Sequence, residues 1–315
     1  MAHVVTLGES MGLVRGAGIG SFTQIGSAEI DTGGAEGNVA IGLARLGVDV
    51  SWLGRVGDDS IGRRVIRDLR GEGVDVHAIV DEAAATGLML KETPRAGSTV
   101  VSYYRAGSAG SRLTPSDLAG IELEHARLLH VTGVTLAISD SARATVFAAI
   151  ERARAAGVRV SFDVNHRSRL WSTETARPVL REATALADIL FAGDDEAAIV
   201  LDAETPPCLE ETAEALASLG PREVVLKHGA AGASAWLEGV LTSAPAVAVP
   251  VVDTVGAGDA FVAGYLSELL AEAPTEKRLG TATRTGAFAC RHPGDWQGAA
   301  RLAELAHLEA DPVTR

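Results

Sequence analysis

Short runs of Val, Ile and Leu alternate with helix-patterned stretches along most of this 315-residue chain. The strand candidates are Val4–Leu7, Val50–Leu53, Leu128–Val131, Val158–Phe162, Ile189–Phe191 and Val224–Lys227. Between them lie Gly37–Leu46, Gly62–Glu72, Ser139–Ala156, Thr173–Leu186 and Thr212–Leu219, each with helical periodicity. Strand and helix repeated in this order predict an α/β fold, with a mostly parallel sheet covered on both faces. Two segments interrupt the rhythm. Residues from about Met11 to Ile30 are glycine-rich, with Phe22, Ile25 and Ile30 scattered among small polar residues. Further on, Thr86–Lys91 and Thr99–Arg105 are β-like and flank Thr93-Pro94-Arg95-Ala96-Gly97, a hairpin connection. The expected division is a main domain of residues 1–10, 31–85 and 112–315, with residues 11–30 and 86–111 forming a small β lid.

Composition removes several classes of function. Hydrophobic residues make up 47% of the chain and no long polar tract occurs, which excludes disorder. The apolar runs break well before the roughly 20 residues that a membrane span needs. The N-terminus, Met1-Ala2-His3-Val4-Val5, enters a strand-like run with no basic region or cleavage site. Cys208 and Cys290 are too few for a disulfide framework, so the expected compartment is a reducing cytoplasm. A net charge of −13 argues against nucleic acid or an anionic membrane as partner. An anionic small molecule stays open, because a few cations in a cleft reverse the local field.

Familiar motifs mostly fail. Gly8-Glu9-Ser10-Met11-Gly12 fits the spacing of a serine-hydrolase elbow, but Leu13-Val14-Arg15-Gly16 is a poor start for the helix that must follow. Gly16-Ala17-Gly18-Ile19-Gly20 has the wrong spacing for a dinucleotide fingerprint, no Gly-Lys pair allows a Walker loop, and no H-E-x-x-H occurs. One motif holds. Val247–Val252 reads as a strand, Asp253-Thr254-Val255-Gly256-Ala257-Gly258-Asp259 as a turn, and Ala260–Leu266 as a helix. Small residues at Gly256, Ala257 and Gly258 let backbone amides converge at a helix N-terminus and form an anion site. Asp259 in the first turn is placed to accept a proton from a hydroxyl attacking a phosphoryl group. A capping aspartate after a tight turn is the plainer alternative.

At this motif the chain resembles the ribokinase-like (phosphofructokinase-B type) sugar kinases. Other landmarks follow in family order: Gly33-Gly34-Ala35-Glu36-Gly37-Asn38, Ala44-Arg45-Leu46-Gly47, and Gly54-Arg55-Val56-Gly57-Asp58-Asp59 with Gly62. Tyr103-Tyr104-Arg105-Ala106-Gly107-Ser108-Ala109-Gly110-Ser111 and Asp163-Val164-Asn165-His166-Arg167 are similar to the 2-keto-3-deoxygluconate kinase branch. The resemblance implies a three-layer ribokinase-like fold with a β lid, ATP and Mg2+ as requirements, and a sugar acid as substrate. It further implies Asp259 as catalytic base, with Gly256, Ala257 and Gly258 as the anion hole. Gly33, Gly34, Asn38, Tyr103, Tyr104, Arg105 and Arg167 would meet the sugar acid, and a homodimer would form through the lid. Asn165, Lys227, Gly229, Gly232, Gly256 and Gly258 would meet ATP. The family's N-x-x-E element stands here as Gly193-Asp194-Asp195-Glu196, so Glu196 would reach Mg2+ through water, and Asp253 would neighbour a monovalent cation such as K+. Met89 stands where an aromatic residue is frequent in similar sugar-acid kinases. Rival expectations are a neutral-sugar or nucleoside kinase, a catalytically silent sugar-binding regulator, and a hydrolase using Ser10.

Overall fold

The computed structural model describes residues 4–95, 98–203 and 208–305. Met1–His3, and Ala96 and Gly97 of the hairpin connection, lie outside the described residues. In chain order the strands are β1 (Val4–Leu7), β2 (Met11–Ile19), β3 (Ala28–Gly33), β4 (Val50–Gly57), β5 (Asp75–Asp81), β6 (Leu88–Arg95), β7 (Ser98–Tyr104), β8 (Leu128–Thr132), β9 (Arg159–Asp163), β10 (Ile189–Gly193), β11 (Glu223–Lys227), β12 (Ala233–Leu237) and β13 (Val240–Ala244). The α-helices are α1 (Ala35–Arg45), α2 (Ser60–Gly71), α3 (Gly133–Ile138), α4 (Asp140–Ala155), α5 (Thr173–Leu186), α6 (Asp194–Leu201), α7 (Leu209–Ala217), α8 (Ala257–Leu270), α9 (Thr275–Ala289) and α10 (Leu302–Leu305). Nine strands form one sheet in the order β13-β12-β11-β10-β9-β8-β1-β4-β5, and four form a second in the order β3-β2-β6-β7.

The large sheet is parallel from β5 to β11 and ends in an antiparallel hairpin, β12-β13. Its apolar runs are explained by two separate cores. Along β10, Ile189 and Phe191 pack with Trp52, Tyr265 and Val262, while Leu190 and Ala192 pack with Phe162, Val146 and Leu180. A strand with alternate side chains in opposite cores needs no polar face, which is why β1, β8, β10 and β11 read as continuous hydrophobic stretches. The parallel direction brings the C-terminal ends of β9, β10 and β11 side by side, with Gly193 in register with Lys227. That edge is where open α/β sheets place ligands.

Two sequence expectations change, and the rejection of the Ser10 elbow stands. Val247–Val252 forms no strand: β13 is the last strand of the sheet, and the residues between Ala244 and Ala257 are irregular, with Val251 and Val252 exposed. The elbow at Ser10 is excluded because strand β2, not a helix, follows it directly. Strands β5, β12 and β13 carry Asp75, His77, Ser234, Thr242 and Ser243 among their apolar residues, and this mixed content kept them from standing out as strands. Among the described residues, no helix is long and apolar enough to cross a membrane.

Candidate active site

The N-terminus of α8 is the centre of the site. Gly256 caps it in the left-handed region at φ 75°, and a Cβ there would stand 1.7 Å from the Asp295 carbonyl oxygen. No other residue fits this turn. The first-turn amides after it have no partner within the helix. That of Ala257 donates to the Thr254 carbonyl at 3.3 Å, and those of Gly258 and Asp259 face no acceptor among the described residues and suit an anion. Asp259, third in the helix and 8% exposed, accepts a hydrogen bond from Asn38 Nδ2 at 2.8 Å. Asn38 in turn accepts from the Gly34 amide at 3.3 Å, which links the start of α1 to α8. Gly34 is glycine for a steric reason, since a Cβ would lie 2.3 Å from the Glu9 carbonyl oxygen. Burial raises the Asp259 pKa to about 6, with Asp163 adding to the rise; the Asn38 bond, Arg167 and Lys227 oppose it.

A cleft of about 960 Å³ opens in front of Asp259. Its floor is the strand-end edge, where Lys227 Nζ donates to both Asp163 oxygens at 2.7 and 3.0 Å. Burial alone would lower the Lys227 pKa, but Asp163, Glu196 and Asp259 outweigh it and raise the value. Glu196, third residue of α6, accepts from the His166 amide at 2.9 Å and the Gly193 amide at 2.7 Å. Both of its oxygens thus hold the loops after β9 and β10 together. Asn165 in that first loop has a left-handed φ of 38° and is buried. The next residues turn outward, so that Arg167 lines the cleft exposed and without an ion-pair partner among the described residues.

The small sheet contributes Met89, Lys91, Val101 and Tyr103 to the opposite wall. Period-two alternation separates the two tyrosines, and Arg105 follows the end of β7. Tyr103 faces the cleft, whereas Tyr104 is 64% exposed and outside the cleft lining. Arg105 is buried, forms an ion pair with Glu9 at 2.5 Å, and stacks 5.7 Å from the Tyr103 ring centroid, also outside the lining. Gly33 lies against the Asp295 carboxylate and Met89. Behind the cleft runs a second, mainly apolar one of about 530 Å³, which includes Gly229, Gly232, Val247, Val249, Phe261 and Ala287. Lys227, Gly229, Thr254 and Gly258 border both.

The sequence reading did not find Lys91 and Asp295. Lys91 donates from β6 to Asp253, and the Asp295 carboxyl, with Oδ1 unpartnered, is pushed up to about 7 chiefly by burial. Asp295 belongs to the loop after α9, far from any motif in the sequence.

An anion-binding helix start, a buried carboxyl beside it and two adjoining clefts suit transfer of a phosphoryl group between two bound molecules. The model of the pfkB family carbohydrate kinases matches residues 1–299. This chain belongs to the pfkB family of carbohydrate kinases. It is 34% identical over 312 residues to a 2-dehydro-3-deoxygluconokinase of Bacillus subtilis, with 96% of this chain and 94% of the relative covered. A structure described as a ribokinase II of E. coli in complex with ATP and Mg2+ superposes with a TM-score of 0.90 at 25% identity, covering 98% of this chain and 99% of that one. A fructokinase double mutant of Vibrio cholerae, bound to fructose, ADP and a potassium ion, gives a TM-score of 0.85 at 29% identity over 98% of each chain.

The residues of this pfkB kinase can be tested against the metal ions those neighbours hold. Mg2+ needs one or two carboxylates plus water and phosphate rather than a protein cage. The acidic edge of the cleft, with exposed Asp195 beside Glu196, fits that requirement. Among the described residues there is no cluster of three or more acidic, His or Cys side chains that would form a closed cage. The carboxylate of Asp253 does not fit a monovalent cation, because the Lys91 ammonium already lies on it.

Proposed function

We propose that this kinase transfers the γ-phosphoryl group of ATP to a primary hydroxyl of a sugar acid, 2-keto-3-deoxygluconate, giving the 6-phosphate. The observation that carries the substrate class is Arg167. It is a guanidinium free of any ion pair among the described residues, it borders the cleft, and it lies close enough to Asp259 to influence its ionisation. A free guanidinium binds a carboxylate through two parallel hydrogen bonds. The relationship to the B. subtilis 2-dehydro-3-deoxygluconokinase supports the same reading.

In the reaction, the sugar hydroxyl lies against Asp259 between the two clefts. Its oxygen forms a bond to the γ-phosphorus as the bond to the β,γ-bridging oxygen breaks, and its proton passes to an Asp259 carboxylate oxygen. Amides of Gly256, Ala257 and Gly258 at the start of α8 take the charge spreading over the phosphoryl oxygens. Lys227 and the turn at Gly229 hold the ATP phosphates, and the apolar second cleft takes the base. Mg2+, held near Glu196 through water, would neutralise phosphate charge. The small sheet of β2, β3, β6 and β7 acts as a lid that keeps water from the γ-phosphate. Exposed Ile19, Ile30 and Tyr104 on this sheet support its use as a homodimer surface, and unpaired Cys208 and Cys290 suit a cytoplasmic location.

A neutral sugar is the second reading. It is favoured by the neutralisation of Arg105 by Glu9, which removes one of the two arginines expected to meet a carboxylate. An ADP-release screen over sugars and sugar acids separates the two. The sugar acid should be preferred, and Arg167→Gln should raise its KM by ~10-fold or more, the scale of losing a charged hydrogen bond, while leaving the melting temperature unchanged. Preference for fructose or ribose, with KM indifferent to Arg167→Gln, overturns the sugar-acid reading.

A further inference from the structure

Lys91 belongs to β6 of the small sheet, yet its ammonium ends on the Asp253 carboxylate, in the loop that leads into α8. Both side chains are buried, at 4% and 9% exposure. Asp253 braces the anion loop directly: Oδ1 accepts from the Val255 amide at 3.2 Å, and Oδ2 from the Gly294 amide at 3.3 Å. The main chain of the same residue donates to the Cys290 carbonyl at 3.2 Å. The conformation of residues 253–258 therefore depends on a neutralised, correctly held carboxylate at position 253. Lys91 faces one further acid, Asp295, whose ionisation it favours. A metal cation added to this carboxylate would sit against a buried ammonium, and like charges at that range repel strongly where water is excluded.

We propose that the Lys91 ammonium is a built-in cation for Asp253, a charge carried by the chain itself that takes the place of a bound monovalent cation at the carboxylate bracing the anion loop. The enzyme then turns over independently of monovalent cations. Because Lys91 is carried by the small sheet, the anion loop reaches its working state only when that sheet lies over the cleft.

The proposal rests on the kinase reading for its rate measurement and is independent of it for its thermal one. Full-length wild-type protein is assayed for ADP release with 2-keto-3-deoxygluconate in KCl or tetramethylammonium chloride. At matched ionic strength, where general screening is equal, the two rates should agree within about twofold. Without substrate or nucleotide, KCl should raise the melting temperature of the wild type no more than tetramethylammonium chloride does. Lys91→Met should slow turnover by ~10²-fold, the scale of disturbing an oxyanion-type site, and KCl should restore part of that loss and raise the melting temperature of the variant. Activation or specific stabilisation of the wild type by KCl overturns the proposal. So does a folded Lys91→Met protein that stays inactive and unstabilised at every KCl concentration, since the lysine then acts on substrate. If Lys91→Met does not fold, the two wild-type measurements still decide. Absence of ADP release with every sugar in both salts refutes the kinase substrate reading and leaves the thermal comparison to judge Lys91.

Discussion

Replacing Asp259 with Asn should inactivate the enzyme and stabilise the fold, and the two effects have one cause. The carboxyl has a pKa of about 6 in the folded protein against 3.8 for an unperturbed aspartate, chiefly through burial. A group that holds its proton more tightly when folded contributes stability at low pH. That contribution is lost as pH rises from 3.8 through about 6. At neutral pH the ionised side chain therefore costs the fold about 3 kcal/mol relative to a neutral one. An amide has the same shape, its oxygen can still accept from Asn38 Nδ2, and it carries no charge to desolvate. For a chain of this length, about 3 kcal/mol corresponds to a rise in melting temperature of about 5 °C. The assay is thermal or urea unfolding of both proteins at pH 8 and pH 4.5, with ADP release measured in parallel. The stability gain should be full at pH 8 and mostly gone at pH 4.5, while turnover falls by at least ~10²-fold from loss of the proton acceptor. A variant no more stable than wild type at pH 8, or a gain of equal size at both pH values, would refute the reasoning. Retained turnover would refute the role of the carboxylate as base.

The same ionisation should set the pH dependence of catalysis. Because Asp259 must be ionised to take a proton, kcat/KM should fall about tenfold per pH unit below about 6 and level off above it, read from initial rates across pH. At the floor of the cleft, Lys227→Met removes the partner of Asp163, whose side chain is 2% exposed. Leaving a buried charge unpaired should cost ~3–5 kcal/mol in urea unfolding at neutral pH, and nucleotide binding should weaken in titration calorimetry. A Lys227→Met protein of wild-type stability would show that Asp163 is satisfied by other groups.

The main sheet was legible because its strands are hydrophobic for a geometric reason, with each alternate side chain feeding one of two cores. The same signal misled at Val247–Val252. There an apolar run lies beyond β13, the edge strand of the sheet, and does not add to that edge. Val247, Val249 and Val251 instead form a wall of the second cleft, so hydrophobicity at this place marks a cleft lining and not a core. Pattern alone does not distinguish these, since an apolar run reads the same whether it adds to a sheet or lines a cleft. The Gly256–Asp259 turn was legible because its constraint is local: a left-handed cap, a helix start and a carboxyl in its first turn all fall within four residues.

What was not legible is charge pairing between distant segments. Arg105 with Glu9, Lys227 with Asp163, and Lys91 with Asp253 are each separated by tens of residues or more, and spacing carries no trace of them. The consequence for function is direct. Counting cations near the motifs gives a strongly positive cleft, with Arg105, Arg167 and Lys227 together. The pairs reduce that field, because Lys227 and Lys91 each lie on a carboxylate, and Arg105 is held outside the lining. Arg167 is left as the group that can meet a substrate carboxylate without first breaking an ion pair. Selectivity for an acidic sugar should therefore reside at this one position, while the paired cations shape the anion loop and the floor on which phosphate is transferred.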